Sequence, residues 1–207
     1  MKAASLAVLA ALLLSCLALT TPAMASSNVD YSNVGGTLTG SSSGMSLSGS
    51  ELESVNFFNG GGPITGNLGT VSFSTGVLIS GSLQTGAMFA GGGTFTIHGN
   101  GTNGIPNGVL FSGTFFGPVS WTLETEEDGT HNYILTGILT GMMGGGVANG
   151  ATVQLTVNTG TDLFSGSVRI SSGNTAISEI PEPSSLALFA TGAFSMLGMV
   201  RRKLLVR

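Results

Sequence analysis

Charge is scarce in this chain and unevenly placed. Only 8% of its residues are Asp, Glu, Lys or Arg, and of the six basic ones only Arg169 lies between Ser26 and Ile180. The same stretch holds nine acids: Asp30, Glu51, Glu53, Glu124, Glu126, Glu127, Asp128, Asp162 and Glu179. A lysine-free acidic segment has no means of neutralising phosphates, so nucleic acid is excluded as a partner. The same acidity keeps it soluble and away from anionic lipid. Cysteine is almost missing too. The single one, Cys16, sits in the apolar N-terminal run. Once that run is removed, disulfides, thiolate metal sites and a cysteine nucleophile are excluded together. The two histidines, His98 and His131, have no partner at metal-ligand spacing. The one Gly-x-Ser-x-Gly match, Gly40–Gly44, lies in the low-complexity run Ser41-Ser42-Ser43 and lacks the following helix that a nucleophile elbow needs; no helical period of ten or more residues occurs in Ser26–Ile180.

What is present at the two ends is specific. Lys2 opens a short positive region, Ala3–Leu19 is apolar, and Ala23-Met24-Ala25 offers small residues at a cleavage site. This is the pattern of a secretory signal peptide over residues 1–25, with cleavage between Ala25 and Ser26. Leu13-Leu14-Ser15-Cys16 offers a competing lipoprotein reading, in which Cys16 is lipidated. Against it, the apolar Leu17-Ala18-Leu19 comes next, where a lipoprotein has a polar tether. At the other end, Ser184–Val200 is uncharged and stops at Arg201-Arg202-Lys203. As a helix, residues 184–200 span about 25 Å, close to the roughly 30 Å of a hydrocarbon core. The basic flank orients it with the C-terminus in the cytoplasm and everything before Pro181 outside. Just before it, Pro181 and Pro183 hold Ile180 and Glu182 extended, because a residue preceding proline is pushed out of the α region.

Ile180-Pro181-Glu182-Pro183, the apolar helix and the arginine-rich end together resemble the PEP-CTERM sorting signal of Gram-negative bacteria. The resemblance covers residues 180–207, and its three-part order is what makes it specific. It implies recognition by exosortase, a membrane cysteine transpeptidase-like enzyme, in a setting of exopolysaccharide production. Transient tethering in the inner membrane is then followed by release or transfer at the cell surface or into the extracellular matrix; the alternative is a helix that is never cleaved and a permanent type I anchor in the inner membrane. Pro181, Glu182, Pro183, Arg201 and Arg202 would be read by that enzyme and are not catalytic residues of this chain.

Residues 26–179 remain as the ectodomain. It is rich in Gly, Ser, Thr and Val and alternates in short runs. Val119, Trp121 and Leu123 oppose Ser120, Thr122 and Glu124; Val153, Leu155 and Val157 oppose Gln154, Thr156 and Asn158. Phe95 and Ile97 alternate with Thr94, Thr96 and His98, and Val55 and Phe57 flank Asn56. The clearest hairpin joins Ser120–Glu124 to His131–Leu139 through a turn containing Asp128-Gly129. Roughly ten short strands predict an all-β antiparallel sandwich or jelly roll, with a β-helix as the minor alternative. The expected core is Phe57, Phe73, Phe95, Phe111, Phe115, Trp121, Leu123, Leu135, Val153, Leu155, Phe164 and Val168. An apolar–Ser/Thr–Gly–Ser/Thr–apolar tag recurs at Ile79–Leu83, Phe111–Phe115 and Phe164–Val168, where glycine marks a bulge or a close approach.

Chemistry is hard to find in this segment. Glu124, Glu126, Glu127 and Asp128 could attract Ca²⁺, but their spacing is not that of an EF-hand, and charge at a hairpin tip is ordinarily solvated. Glu51 and Glu53 share one side of a strand, and a glycosidase would need a second carboxylate that the sequence does not place. The expectation is a non-catalytic exported protein with no cofactor and no bound metal. It is structural or adhesive at the surface or in the matrix, with self-association through strand edges. The alternative is a carbohydrate-binding module or weak polysaccharide-active enzyme of the same matrix.

Overall fold

The computed structural model describes residues 28–178. They form thirteen strands: β1 (Asn28–Val34), β2 (Thr37–Ser41), β3 (Gly44–Asn56), β4 (Ile64–Ser74), β5 (Leu78–Ser82), β6 (Gly86–Phe89), β7 (Gly92–Asn100), β8 (Asn107–Phe115), β9 (Val119–Thr125), β10 (His131–Met143), β11 (Gly146–Asn158), β12 (Ser167–Arg169) and β13 (Ser172–Ser178). The only helical piece among the described residues is one 3₁₀ turn, Phe58–Gly60. Every pairing is antiparallel, which rules out the parallel coils of a β-helix.

Eight of the strands close on themselves. The order runs β1, β3, β4, β7, β8, β10, β11, β13 and back to β1. Strand alternation leads to the expectation of two facing sheets, but the strands form a closed barrel. The physical reason for the difference is simple: alternation reports one packed and one wet face per strand, but not whether the two edges of a sheet meet. The closing seam is the long pair β10–β11, in register from Asn132 opposite Asn158 to Met143 opposite Gly146, with one bulge at Leu139/Thr140.

Two small groups of strands branch off this ring. β10 changes partner along its length: His131–Thr136 pairs with β9, and Leu139–Met143 pairs with β8. β9 carries β6, which carries β5. In the second group the first residues of β3 pair with β2, and β2 pairs with β12; the Leu78 amide of β5 donates to the Ser42 carbonyl in the β2–β3 turn, so the two groups meet.

The interior is packed with side chains, as small eight-stranded barrels usually are. Phe73 stacks on Phe95 at 5.8 Å, and Phe115 stands edge-on to both. Such pairs add about 0.5–1.5 kcal/mol each beyond the area they bury. The glycines of β8 and β10 make room for these rings. A Cβ on Gly137 would lie 2.7 Å from the Phe115 ring, and one on Gly113 2.8 Å from the tip of Phe111. A second aromatic group lies between the β9–β10 hairpin and the loop before β12. There Trp121 stacks on Tyr133 at 4.9 Å, and Phe164 is edge-on to Trp121 at 5.3 Å. The exterior carries Thr94, His98, Ser72, Ser112 and Thr114 as exposed residues. Apolar inside and polar outside is the reverse of a membrane-spanning barrel. Among the described residues no helix is long and apolar enough to cross a membrane; the expected spanning helix, 184–200, lies outside them, as does the signal peptide.

Most of the expected core is buried, with three corrections. Phe57 is 61% exposed: β3 ends at Asn56 and Phe57 takes a left-handed conformation (φ 62°) that turns the chain out of the alternation. Leu123 and Val168 only pack against the core from its rim. Conversely Tyr31, Tyr133, Leu38, Met45, Leu52, Leu68, Phe89 and Ile97 are fully enclosed.

Gly69 is the glycine that the barrel can least replace. It pairs with Leu52 on one side and Gly99 on the other, has φ 149°, and a Cβ there would run into the carbonyl oxygen of His98. Gly69→Ala is therefore expected to destabilise the barrel by at least about 1–3 kcal/mol, the usual cost of strained backbone. Chemical denaturation of the two proteins checks this; equal midpoints would show that β4 and β7 are not in this register.

Candidate functional site

An open concavity arises where β10 changes partner. Between Thr136 and Leu139 that edge of β10 passes from β9 to β8, and Phe116-Gly117-Pro118 bridges the two strands. The strands part there and leave an open groove of about 480 Å³ on the outer face. Its polar lining is set by the register. Ser120, Thr136, Gln154 and Asn174 are successive cross-strand partners on β9, β10, β11 and β13. Ile138, Thr152 and Ala176 form the next row. Thr136, Thr152, Gln154 and Asn174 are exposed. No Asp, Glu, Lys, Arg or His lines the groove.

A hydroxyl-rich patch lies elsewhere on the exterior. Thr39 and Ser46 hydroxyls are 2.9 Å apart and Ser74 and Thr94 hydroxyls 3.2 Å apart, with Ser46 paired to Ser74 across β3 and β4. These groups already satisfy one another; in the groove Ser120 shares a hydrogen bond with Thr122 at 3.3 Å, and Thr136, Thr152, Gln154 and Asn174 make none among the described residues.

The acidic hairpin is built as its residues suggest. Thr125 pairs with His131, the Glu126 amide donates to the Thr130 carbonyl at 2.9 Å, and Gly129 supplies φ 83°. Asp128 accepts hydrogen bonds from the Thr130 backbone amide at 2.9 Å and from its hydroxyl at 2.7 Å. Those two bonds, the backbone one foremost, hold its carboxyl below the ordinary 3.8. A lowered folded-state value means that the charged form favours the fold. This contribution is present above pH 3.8 and is lost as pH falls through the lowered value. Thr130→Ala, which removes the hydroxyl, is expected to move the Asp128 carboxyl part of the way back up in an NMR titration, and an unmoved carboxyl would contradict the turn. Glu126 is engaged separately, accepting from the Asn132 amide at 2.8 Å.

The remaining candidates stay apart. His98 is exposed on β7, and His131 shares a hydrogen bond with Thr125 at 3.1 Å. Glu51 and Glu53 are exposed on β3, which is not paired with β9 and its Glu124. Among the described residues no three His, Cys, Asp or Glu side chains converge as metal ligands do. Trp121 is 1% exposed and donates from its ring nitrogen to the Leu83 carbonyl at 2.9 Å, a core side chain and not a surface platform. Pro181, Glu182, Pro183, Arg201, Arg202, Ala23, Ala25 and Ser26 lie outside the described residues. Sequence reasoning missed the groove itself. Alternation turns Ser120 and Gln154 outward, but only the register shows that they share a row with Thr136 and Asn174.

Between Ser26 and the tail, then, stands an all-β antiparallel barrel with a polar exterior and an uncharged groove. The C-terminal tail defines the chain more closely: residues 179–203 match the PEP-CTERM protein-sorting motif, a range that includes Pro181, Glu182, Pro183, Arg201 and Arg202. The motif supports an exported protein, sorted while membrane-anchored and processed by exosortase. No curated protein and no solved structure matches the chain.

Proposed function

We propose that this is a non-catalytic exported barrel protein. Its tail is held briefly in the inner membrane, cut at the Pro-Glu-Pro segment, and the barrel is then deployed at the cell surface or in the extracellular matrix beside exopolysaccharide. The observation that carries the reading is the sorting motif at 179–203. The barrel supports it: its acids are spread over β1, β3, β9, the β9–β10 turn and the loop before β12, where an acid–base pair would need two carboxylates facing one bond. Its job there is structural or adhesive. The test is to express the chain in its own type of host with and without the exosortase-like enzyme. With the enzyme, the barrel is expected in the released or surface fraction without its tail; without it, the full chain is retained in the membrane fraction. Release of a tailless barrel in both strains would contradict the reading.

A further inference from the structure

We infer that the groove at the β8–β9 parting is a binding site for a neutral polysaccharide chain lying across the strands. The inference rests on the proposed deployment beside exopolysaccharide and names the partner chemistry.

The first argument is spacing. Ser120, Thr136, Gln154 and Asn174 form one cross-strand row, and neighbouring strands lie about 4.8 Å apart. The row therefore presents two hydroxyls and two carboxamides at a regular repeat, as an extended glycan presents hydroxyls at the regular repeat of its sugars. The second is availability. Among the described residues the side chains of Thr136, Thr152, Gln154 and Asn174 make no hydrogen bond, and Ser120 has only a 3.3 Å contact with the Thr122 hydroxyl, whereas the Ser and Thr groups across β2, β3, β4 and β7 spend theirs on one another. Hydroxyl and carboxamide both donate and accept, which suits a ligand whose hydroxyls do the same.

The third argument is the apolar partner that a sugar ring needs for its C–H face. Ile138, in the second row, is 47% exposed, Pro118 lines the groove, and Phe116, two residues before Pro118, is 69% exposed. The Phe116 amide donates to the Ile138 carbonyl, which ties that loop to the site. The fourth is charge. The lining has none, so no counterion holds a uronate or sulfate there. In addition, the row of Ile138, Thr152 and Ala176 leads on β1 to Asp30, one of whose carboxylate oxygens is enclosed without a hydrogen-bond partner among the described residues. Asp30 lies beyond the lining, and a carboxylate at the end of the row repels acidic polysaccharide. At about 480 Å³ the space falls in the usual range for ligand sites, and its openness suits the interior of a chain. With no Asp or Glu in the lining, the groove holds a glycan and does not cut it.

The test uses the full chain in detergent, presented to immobilised dextran, starch, galactomannan, xylan and alginate. Binding is expected to at least one of the four neutral polymers and to persist in high salt. It should weaken by about tenfold, the equivalent of about 1.4 kcal/mol, in the double variant Gln154→Ala/Asn174→Ala. A smaller loss is expected in Phe116→Ala. Ser72→Ala, on exposed β4, should bind as the parent does. Circular dichroism of each variant guards against unfolding, and the separate Thr136→Val variant keeps the shape while removing the hydroxyl. No binding to any neutral polymer, binding to alginate alone, or binding indifferent to all three groove variants would overturn the inference. Sorting and tail removal are measured independently, so a negative binding result leaves the proposed export and processing standing.

Discussion

Trp121→Ala is expected to cost about 3–5 kcal/mol, the usual range for emptying a buried tryptophan site. That is a large share of the roughly 5–15 kcal/mol that holds a typical domain folded. The magnitude reflects what the indole touches. It is 1% exposed, stacks on Tyr133 at 4.9 Å, meets Phe164 edge-on at 5.3 Å and donates to the Leu83 carbonyl. Tyr133 donates to the Gln84 carbonyl at 2.8 Å and accepts from the Phe164 amide at 3.1 Å. The Trp–Tyr pair thus pins the β5–β6 turn and the loop before β12 at once. Neither segment belongs to the closed ring, so the variant should lose protection there before the ring opens. Hydrogen exchange separates the cases: early exchange in β5, β6 and the 159–166 loop is the expected pattern. Uniform loss across all thirteen strands would mean that the branch and the barrel are one cooperative unit.

Replacing Pro181, Glu182 and Pro183 together by alanine is expected to abolish tail removal, with the full chain remaining in the membrane. Proline disfavours the α region for the residue before it, and the proposed processing calls for a segment that the enzyme can capture in extended form. Three alanines lift that restriction and favour helix instead. Glu182→Gln alone keeps that shape and removes the charge, so it isolates the carboxylate's contribution. Processing should fall markedly if the charge is read, and stay at parent level if shape alone is read. The barrel should be unaffected in both, because the substitutions fall after β13.

The hairpin β9–β10 was legible because three signals coincide there: strict alternation in Val119–Leu123, an Asp-Gly turn, and β-formers from His131 onward. Phe95, Ile97, Val153 and Leu155 are placed inward by the same two-residue period. Phe57 departs from it because a left-handed residue ends an alternation without any mark in composition. Tyr31 and Tyr133 were not legible as core because a tyrosine in a Ser/Thr-rich run reads as amphipathic, while its hydroxyl can be satisfied deep in the fold. Barrel closure and the groove depend on which strands are neighbours, here β10 with β11, β8 and β9 in turn. Pairing of that kind lives in long-range register and not in any one segment. The tail is the opposite case, since its three parts are contiguous and their order is itself the signal.

Mass spectrometry of the C-terminus of the surface-released protein tests the central claim most directly. The account predicts a mature chain that ends at or near Pro181–Pro183, with no peptide from the apolar run 186–200. Released protein that still yields peptides spanning Glu182 to Leu197 would contradict it.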